Sequence, residues 1–345
     1  MGFLTGKTAL ITGAGRAVLQ DGSCGSIGYG IATAYAKEGA NLVITGRNVK
    51  KLEEAKDELE QLYGIKVLPV QADVCAGGDN EATVQNVVKQ AMETFGGIQV
   101  LINNAQASAS GVPLADNTTG QFDLALYSGL YAAFYYMKAC YPYLKESHGS
   151  VINFASGAGL FGNFGQSAYA AAKEGIRGLS RVAATEWGPD GINVNVVCPL
   201  AWTAKLEQFQ QAYPDAFKAN VKMPPMGHYG NAELEIGRVC VPQSHASDRG
   251  GRSERRFKIK ALLRLERLAV GTFRTEYRRG DGQPWVQRRD RRIRPHEQFG
   301  PRLMQTIECV GDSGGGAPES RDDVTIVHGV LRSDACGKSQ LRESR

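Results

Sequence analysis

Six short apolar runs punctuate the first 200 residues: TALIT (8–12), NLVIT (41–45), VLPVQ (67–71), VLINN (100–104), VINFA (151–155) and NVNVV (193–197). Each is short and bounded by polar or glycine-containing segments, the pattern of a buried strand. Between them, apolar residues recur at helical spacing over 27–38, 49–63, 80–95, 119–144 and 168–187, with Lys and Glu on the polar faces. Repeated strand–helix alternation predicts a parallel sheet covered on both sides, because right-handed crossovers place helices there. The expected fold class is therefore α/β, a doubly wound, Rossmann-type sheet. Ligands of such sheets bind beyond the carboxyl ends of the strands, so the residues after each run are the ones to inspect.

After the first run comes ITGAGRAVLQDGSCGSIGYGIA, Ile11 to Ala32. Gly13 and Gly15 suit a tight turn, and Ser26 suits the cap of a helix that opens at Ile27. Gly28 and Gly30 allow that helix close approach to phosphate and sheet, and its N-terminal N–H groups favour an anion such as a pyrophosphate. Between the two ends, Ala17–Gly25 reads as a polar surface excursion. An ordinary strand-to-helix loop could also look like this, so the turn does not decide function by itself.

More informative is the region after the fifth run. Ser156 stands at the strand end, and thirteen residues later SAYAAAKEG places Tyr169 and Lys173 at i and i+4, on one helix face. Lys173 beneath the phenol, together with a nearby nicotinamide cation, would lower a pKa that starts near ~10, which makes Tyr169 a usable base. Ser156 would hydrogen-bond a substrate oxygen and steady developing charge.

Together these residues resemble the short-chain dehydrogenase/reductase family over about Lys7 to Val241. The matching stretches are TGAGR…SIGYGIA, ADV (72–74), NNA (103–105), INFAS (152–156), YAAAK (169–173) and NVVCP (195–199), in the family's order. The cofactor site so read has Gly13, Gly15, Ser26, Ile27 and Gly28 at the pyrophosphate, and the resemblance implies Asp73 and Val74 beside the adenine. It further implies Asn103 and Ala105 along the cofactor, Tyr169 and Lys173 at the nicotinamide ribose, and Pro199 and Thr203 at the nicotinamide. Four positions depart from the family pattern: the 17–25 insertion, Gln106 and Leu200 where glycine is usual, and Gly129 where a helical asparagine holds a relay water. Either Ser128 or a water on bare backbone would substitute for that asparagine.

Charge decides the expected cofactor. An NAD preference normally rests on a carboxylate after the second strand, whereas ITGRN offers Thr45, Gly46 and then Arg47, placed to pair with a 2′-phosphate with help from Arg16. NADP is therefore expected. Substrate would meet Ala107–Val112, Leu160–Gln166 and Ala201–Gly227, where Phe161, Phe164, Trp202, Phe209, Tyr213, Met223 and Met226 suit a bulky, rigid ligand. They could instead be core or an oligomer surface. The wording of 101–111, 126–145 and 154–181 is most similar to the family's bacterial bile-acid dehydrogenases, which share the departures at 106 and 129. That implies a steroid substrate oxidised at its 12α-hydroxyl. Reduction of a 3-oxoacyl thioester would use the same residues and stays open.

Composition separates the chain into two parts. Residues 1–241 hold 18 Lys+Arg against 21 Asp+Glu, and 242–345 hold 22 against 14, with Arg replacing Lys as the main base. The boundary expected near Val241 falls inside a structural unit. The family's final strand has no obvious equivalent after it, so 242–345 reads as a largely disordered tail, either a displaced reading frame or fused foreign sequence. A basic extension contacting nucleic acid is the alternative from another class. GDSGG around Ser313 resembles a serine-protease loop, but only about 70 residues separate it from Val241, without strand patterning, so it reads as a chance match. Seven cysteines without metal-ligand spacing imply no metal and fit a reducing cytoplasm. No run reaches the roughly 18 apolar residues of a membrane span. The family resemblance implies a homo-oligomer if the C-terminus permits one.

Overall fold

The computed structural model describes residues 2–75, 80–221, 223–224 and 226–244, with the short strand Phe273–Arg274. In chain order the elements are β1 (Thr8–Thr12), α1 (Ile27–Lys37), β2 (Asn41–Gly46), α2 (Val49–Tyr63), β3 (Val67–Gln71), α3 (Asn80–Phe95) and β4 (Val100–Asn103). There follow α4 (Thr119–Ala125), α5 (Ala132–Ser147), β5 (Ser150–Phe154), α6 (Gly157–Phe161), α7 (Ser167–Trp187), β6 (Asn193–Val197), α8 (Ala204–Ala212), α9 (Pro214–Asn220) and α10 (Arg238–Gln243). The six long strands form a parallel sheet in the order β3-β2-β1-β4-β5-β6. Phe273–Arg274 pairs antiparallel with Val196 and Asn195 of β6. The remaining expectations for 245–345 lie outside the described residues.

Strand alternation divides the core. Ala9, Ile11, Leu42, Ile44, Ile102 and Ile152 pack with Ile31, Tyr35, Leu52 and Leu59 of α1 and α2. Their neighbours Leu10, Val43, Leu101 and Val151 face α3, α5 and α7, meeting Val84, Tyr136 and Ala183. Pro69 is tolerated because β3 is an edge strand, with no second neighbour that needs its missing N–H.

The helix expected over 119–144 is broken in the middle. Leu126–Tyr131 is π-helical between α4 and α5. The turn closes its bonds on i+5 over only six residues, too short a stretch for periodicity to reveal it. A second π-helical turn, Ala232–Gly237, leads into α10 and lies against α1. Gly30 faces this turn, since a Cβ there would enter the Ala232 backbone. Its role is helix packing, not the approach to phosphate expected from the sequence. Among the described residues no helix is long and apolar enough to cross a membrane.

Candidate active site

The sheet order reverses between β1 and β4, which opens a crevice beyond their carboxyl ends. Thr12 closes its floor: its Oγ1 donates to Ile102 O (3.3 Å) and accepts from the N–H groups of Asn104 (2.9 Å) and Ala105 (3.0 Å). Asn104 Nδ2 donates to the carbonyls of Thr12 (2.9 Å) and Gly13 (3.3 Å). Gly13 has φ +71°, and a Cβ there would press on Ala105 at 3.1 Å. At Gly28 a Cβ would run into the Gly13 carbonyl. Both positions therefore require glycine, one for backbone conformation and the other for close approach. Gly15 lies over Lys51, whose Cβ is 3.3 Å from where its own Cβ would be.

Ser26 caps α1, accepting from Tyr29 N–H at 3.3 Å, while Gly30 N–H bonds the Ser26 carbonyl. The N–H groups of Ile27 and Gly28 belong to the first helical turn, which has no intrahelical acceptor. This cradle fits a phosphate.

The insertion is not a free excursion. Val18 and Cys24 pair antiparallel, Leu19 N–H bonds Ser23 O at 2.9 Å, and Gly22 at φ +82° makes the turn. Gly25 N–H bonds Ala17 O at 2.7 Å, which closes a small hairpin. It also docks: Ala204 N–H of α8 bonds Gly25 O at 2.8 Å, and Gln20 N–H bonds Glu207 Oε2 at 3.2 Å. Cys24 and Gly25 are buried, and only the tip is exposed. Leu19 and Cys24 help line a cavity of about 390 Å³ with Trp202, Met223 and Tyr229.

Beyond β5, the segment Asn153–Ser156 runs along α7. Lys173 Nζ donates to Phe154 O at 2.6 Å and lies 5.5 Å from the Tyr169 ring centroid. Ser156 caps α6, its Oγ accepting from Ala158 N–H at 3.1 Å, and it stands close enough to the Tyr169 phenol to act on its pKa. The three side chains expected at the chemistry are thus brought together. Their charge states differ from expectation. Burial pushes the Tyr169 phenol above its ordinary range, against the opposing effect of Ser156. Burial also draws the Lys173 ammonium down to about 7. The desolvated lysine is therefore only partly charged near neutral pH and, in this state, does not produce the lowered tyrosine pKa that the spacing predicts.

At the other end of the crevice, Asp73 is exposed and accepts from Cys75 N–H at 2.9 Å, while Val74 is buried and its carbonyl accepts from Asn80 Nδ2 at 2.9 Å. Asn103 is buried, bonding Asn153 Oδ1 through Nδ2 at 2.8 Å, and its own Oδ1 is buried without a partner. Arg47 is exposed between β2 and α2. Arg16 is not similarly available, being paired with Glu58 of α2. Pro199 follows β6, and Thr203 caps α8, accepting from Leu206 N–H at 3.4 Å. Among the described residues no group of three His, Cys, Asp or Glu could hold a metal ion.

A family model described as enoyl-(acyl carrier protein) reductase matches residues 22–242. A 12α-hydroxysteroid dehydrogenase of Clostridium sp. is 66% identical over 241 residues, covering 70% of this chain and 90% of the relative. The chain belongs to the short-chain dehydrogenase/reductase family. Accordingly it is a nicotinamide-dependent oxidoreductase acting on CH–OH groups. A D-β-hydroxybutyrate dehydrogenase of Cupriavidus necator is 34% identical, covering 57% of this chain and 71% of that relative. The solved structure of a short-chain alcohol dehydrogenase from Sinorhizobium meliloti superposes with TM-score 0.62 at 28% identity, covering 70% of this chain and 90% of that one.

Two departures of this short-chain dehydrogenase from the family pattern explain each other. A Cβ at Gly129 would sit on the Gln106 amide, so the glutamine fills the space that a side chain at 129 would take. Gln106 Nε2 donates to Ala125 O at 2.9 Å, and its Oε1 is buried without a protein partner. Ser128 does not stand in for the family asparagine, because its hydroxyl proton goes to Leu124 O (2.6 Å) or Ala107 O (3.0 Å) while its oxygen accepts from Ala107 N–H (2.9 Å). Gly129→Ala is expected to push Gln106 off Ala125 and cost about 1 kcal/mol. Adding Gln106→Gly relieves the contact, so thermal melts should show the double variant recovering most of the loss. Sequence reasoning flagged each position but not their complementarity, for which 106 and 129 had to be known as neighbours. It also passed over Arg177, whose only signal was its place on α7 one turn after Lys173.

Proposed function

We propose that this dehydrogenase uses NADP(H) to interconvert a hydroxyl and a ketone on a steroid, the 12α-hydroxyl of a bile acid. The observation that carries the chemistry is the meeting of Ser156, Tyr169 and Lys173 at the exit of β5. Bound nicotinamide supplies the hydride acceptor or donor. Tyr169 holds the proton exchanged with the substrate oxygen, and Ser156, whose Oγ already accepts from Ala158, donates its own proton to that oxygen. Lys173 tunes the phenol and fixes the strand end through Phe154. Glycines 13, 15 and 28, with Ser26 and Ile27, hold the pyrophosphate. Asp73, Val74, Asn103 and Ala105 flank the adenosine half, and Pro199 and Thr203 the nicotinamide.

The substrate assignment rests on the 66% identical relative. It agrees with the rim of the site, where Phe161 (81% exposed) and Phe164 (84%) stand in solvent beside Leu160. Gly111 N–H bonds Gly165 O at 2.9 Å, which joins 107–112 to this rim. Trp202 instead packs on Phe217 and Tyr229, and Phe209 on Tyr213 and Phe217, so these aromatics knit the α8–α9 segment together. Exposed Tyr131 at the end of the π-helical turn, Phe134 of α5 and Val182 of α7 offer apolar surface to a second copy in a cytoplasmic homo-oligomer.

Turnover of cholate with NADP⁺ beside NAD⁺, followed by absorbance of the reduced nicotinamide, tests this reading. Oxidation faster with NADP⁺ supports it, and no oxidation of a 12α-hydroxyl with either cofactor overturns the substrate. Cofactor choice has its own test. Thr45 and Gly46 present no carboxylate, and Arg47 is exposed where a 2′-phosphate would lie, its carbonyl held by Gln71 Nε2 at 3.0 Å. Arg47→Asp should weaken NADP⁺ by roughly 10- to 150-fold, the loss of one charge-assisted hydrogen bond, and invert the preference. An unchanged ratio of the two kcat/KM values would place the phosphate elsewhere.

A further inference from the structure

The largest fully buried side chain in the described structure is not apolar but Arg177, on α7 one turn beyond Lys173. Burying a guanidinium is costly unless its donors are used. Here Nη2 donates to the Ser156 carbonyl at 3.0 Å, Nη1 reaches Cys198 Sγ at 3.6 Å, and Nε meets both Glu174 oxygens at 3.1 Å. The contact with Ser156 falls where the sheet stops supporting the chain. Ala155 N–H still bonds Val197 O at 2.9 Å, whereas Ser156 lies past the end of β5. Successive turns of α7 grip this segment: Ser180 Oγ accepts from Asn153 Nδ2 at 2.8 Å, Lys173 holds Phe154 O, and Arg177 holds Ser156 O.

We propose that Arg177 is a positioning residue for the reaction, fixing the peptide that follows Ser156 and so aiming the Ser156 hydroxyl at the substrate oxygen. The inference rests on the role given to Ser156 above. Unlike Lys173, a guanidinium stays charged across the working pH range, so this clamp does not loosen as the neighbouring lysine titrates. Glu174, on the exposed side, neutralises the arginine without touching Ser156.

A double-mutant cycle tests it. Arg177→Met should lower cholate turnover by about 100-fold, the loss that follows a small misplacement of a reacting group, while cofactor affinity is kept. In a Ser156→Ala background the same change should cost less than about 3-fold, because the hydroxyl it aims is already gone. Arg177→Lys, which keeps a charged donor, should recover part of the loss, and it replaces the methionine variant in the cycle if that protein does not fold. Without substrate, hydrogen exchange at Ala158 N–H, bonded to Ser156 Oγ, should quicken in the variant while Ile152 in β5 stays protected. Equal losses in both backgrounds, or unchanged exchange at Ala158, overturn the positioning role and leave the Ser156 reading intact. Near-normal turnover of Ser156→Ala overturns that reading and this inference with it.

Discussion

Tyr169→Phe is expected to bind the cofactor as the parent does and to lose turnover by roughly 10²–10⁴-fold, the range for removing one positioned acid–base group. The substitution deletes one oxygen from a half-buried ring. The ring remains packed under Lys173, whose bond to Phe154 O does not depend on the phenol. What disappears is the phenol proton that is exchanged with the substrate oxygen beside Ser156. The loss should fall on kcat and kcat/KM together, because the proton matters in the transition state and little in binding. Cofactor titration by fluorescence, set beside steady-state kinetics, measures both halves of the expectation. Turnover within a few-fold of the parent would remove Tyr169 from the chemistry.

Lys173→Met should produce the largest change in stability, and its sign depends on pH. An ordinary lysine in the unfolded chain loses its proton near ~10.4. In the folded protein burial draws Lys173 down to about 7. Between these values the unfolded state holds the proton and the folded state does not, so raising the pH through this window stabilises the fold. Below about 7 both states are charged and the full penalty stands, with an upper bound of about 5 kcal/mol. Methionine carries no such penalty but leaves the Phe154 carbonyl without its donor, which costs about 1 kcal/mol. The variant should therefore be more stable than the parent at pH 6. By pH 9.5 its advantage should have shrunk by about 3 kcal/mol. Denaturant melts of both proteins at the two pH values give the comparison, and a pH-independent difference would mean that the ammonium is not depressed. Catalysis should be lost at either pH.

The sheet was legible because its strands are short apolar runs, most of them buried along nearly their whole length. TALIT and NVNVV coincide with β1 and β6, and the others with β2–β5 to within one residue at each end. Helices with one apolar face were equally plain, α2 and α3 matching the bounds read from periodicity. What escaped depends on contacts between distant residues. The π-helical turn is invisible to periodicity, and the 17–25 segment looks polar and loop-like because its hairpin is held by backbone bonds. Within the site, spacing placed Tyr169 above Lys173 correctly. It could not show how deeply the lysine is buried, and that burial opposes the lowering expected of lysine and nicotinamide cation together. Likewise Arg16 was free to be given to a phosphate until Glu58 of α2 was seen beside it.

Gly25 is bonded on both sides, to Ala17 through its N–H and to Ala204 through its carbonyl, and the next residue caps the phosphate-facing helix. Helix α8 buries no residue of its own, and these bonds tie its start to the hairpin beside the aromatic contacts it shares with α9. The two ends of the cofactor crevice thus share a mechanical joint, and thermodynamic reciprocity applies to it. Whatever free energy a phosphate contributes by stiffening the hairpin must reappear, equal in size, as tighter phosphate binding whenever a ligand settles α8 first.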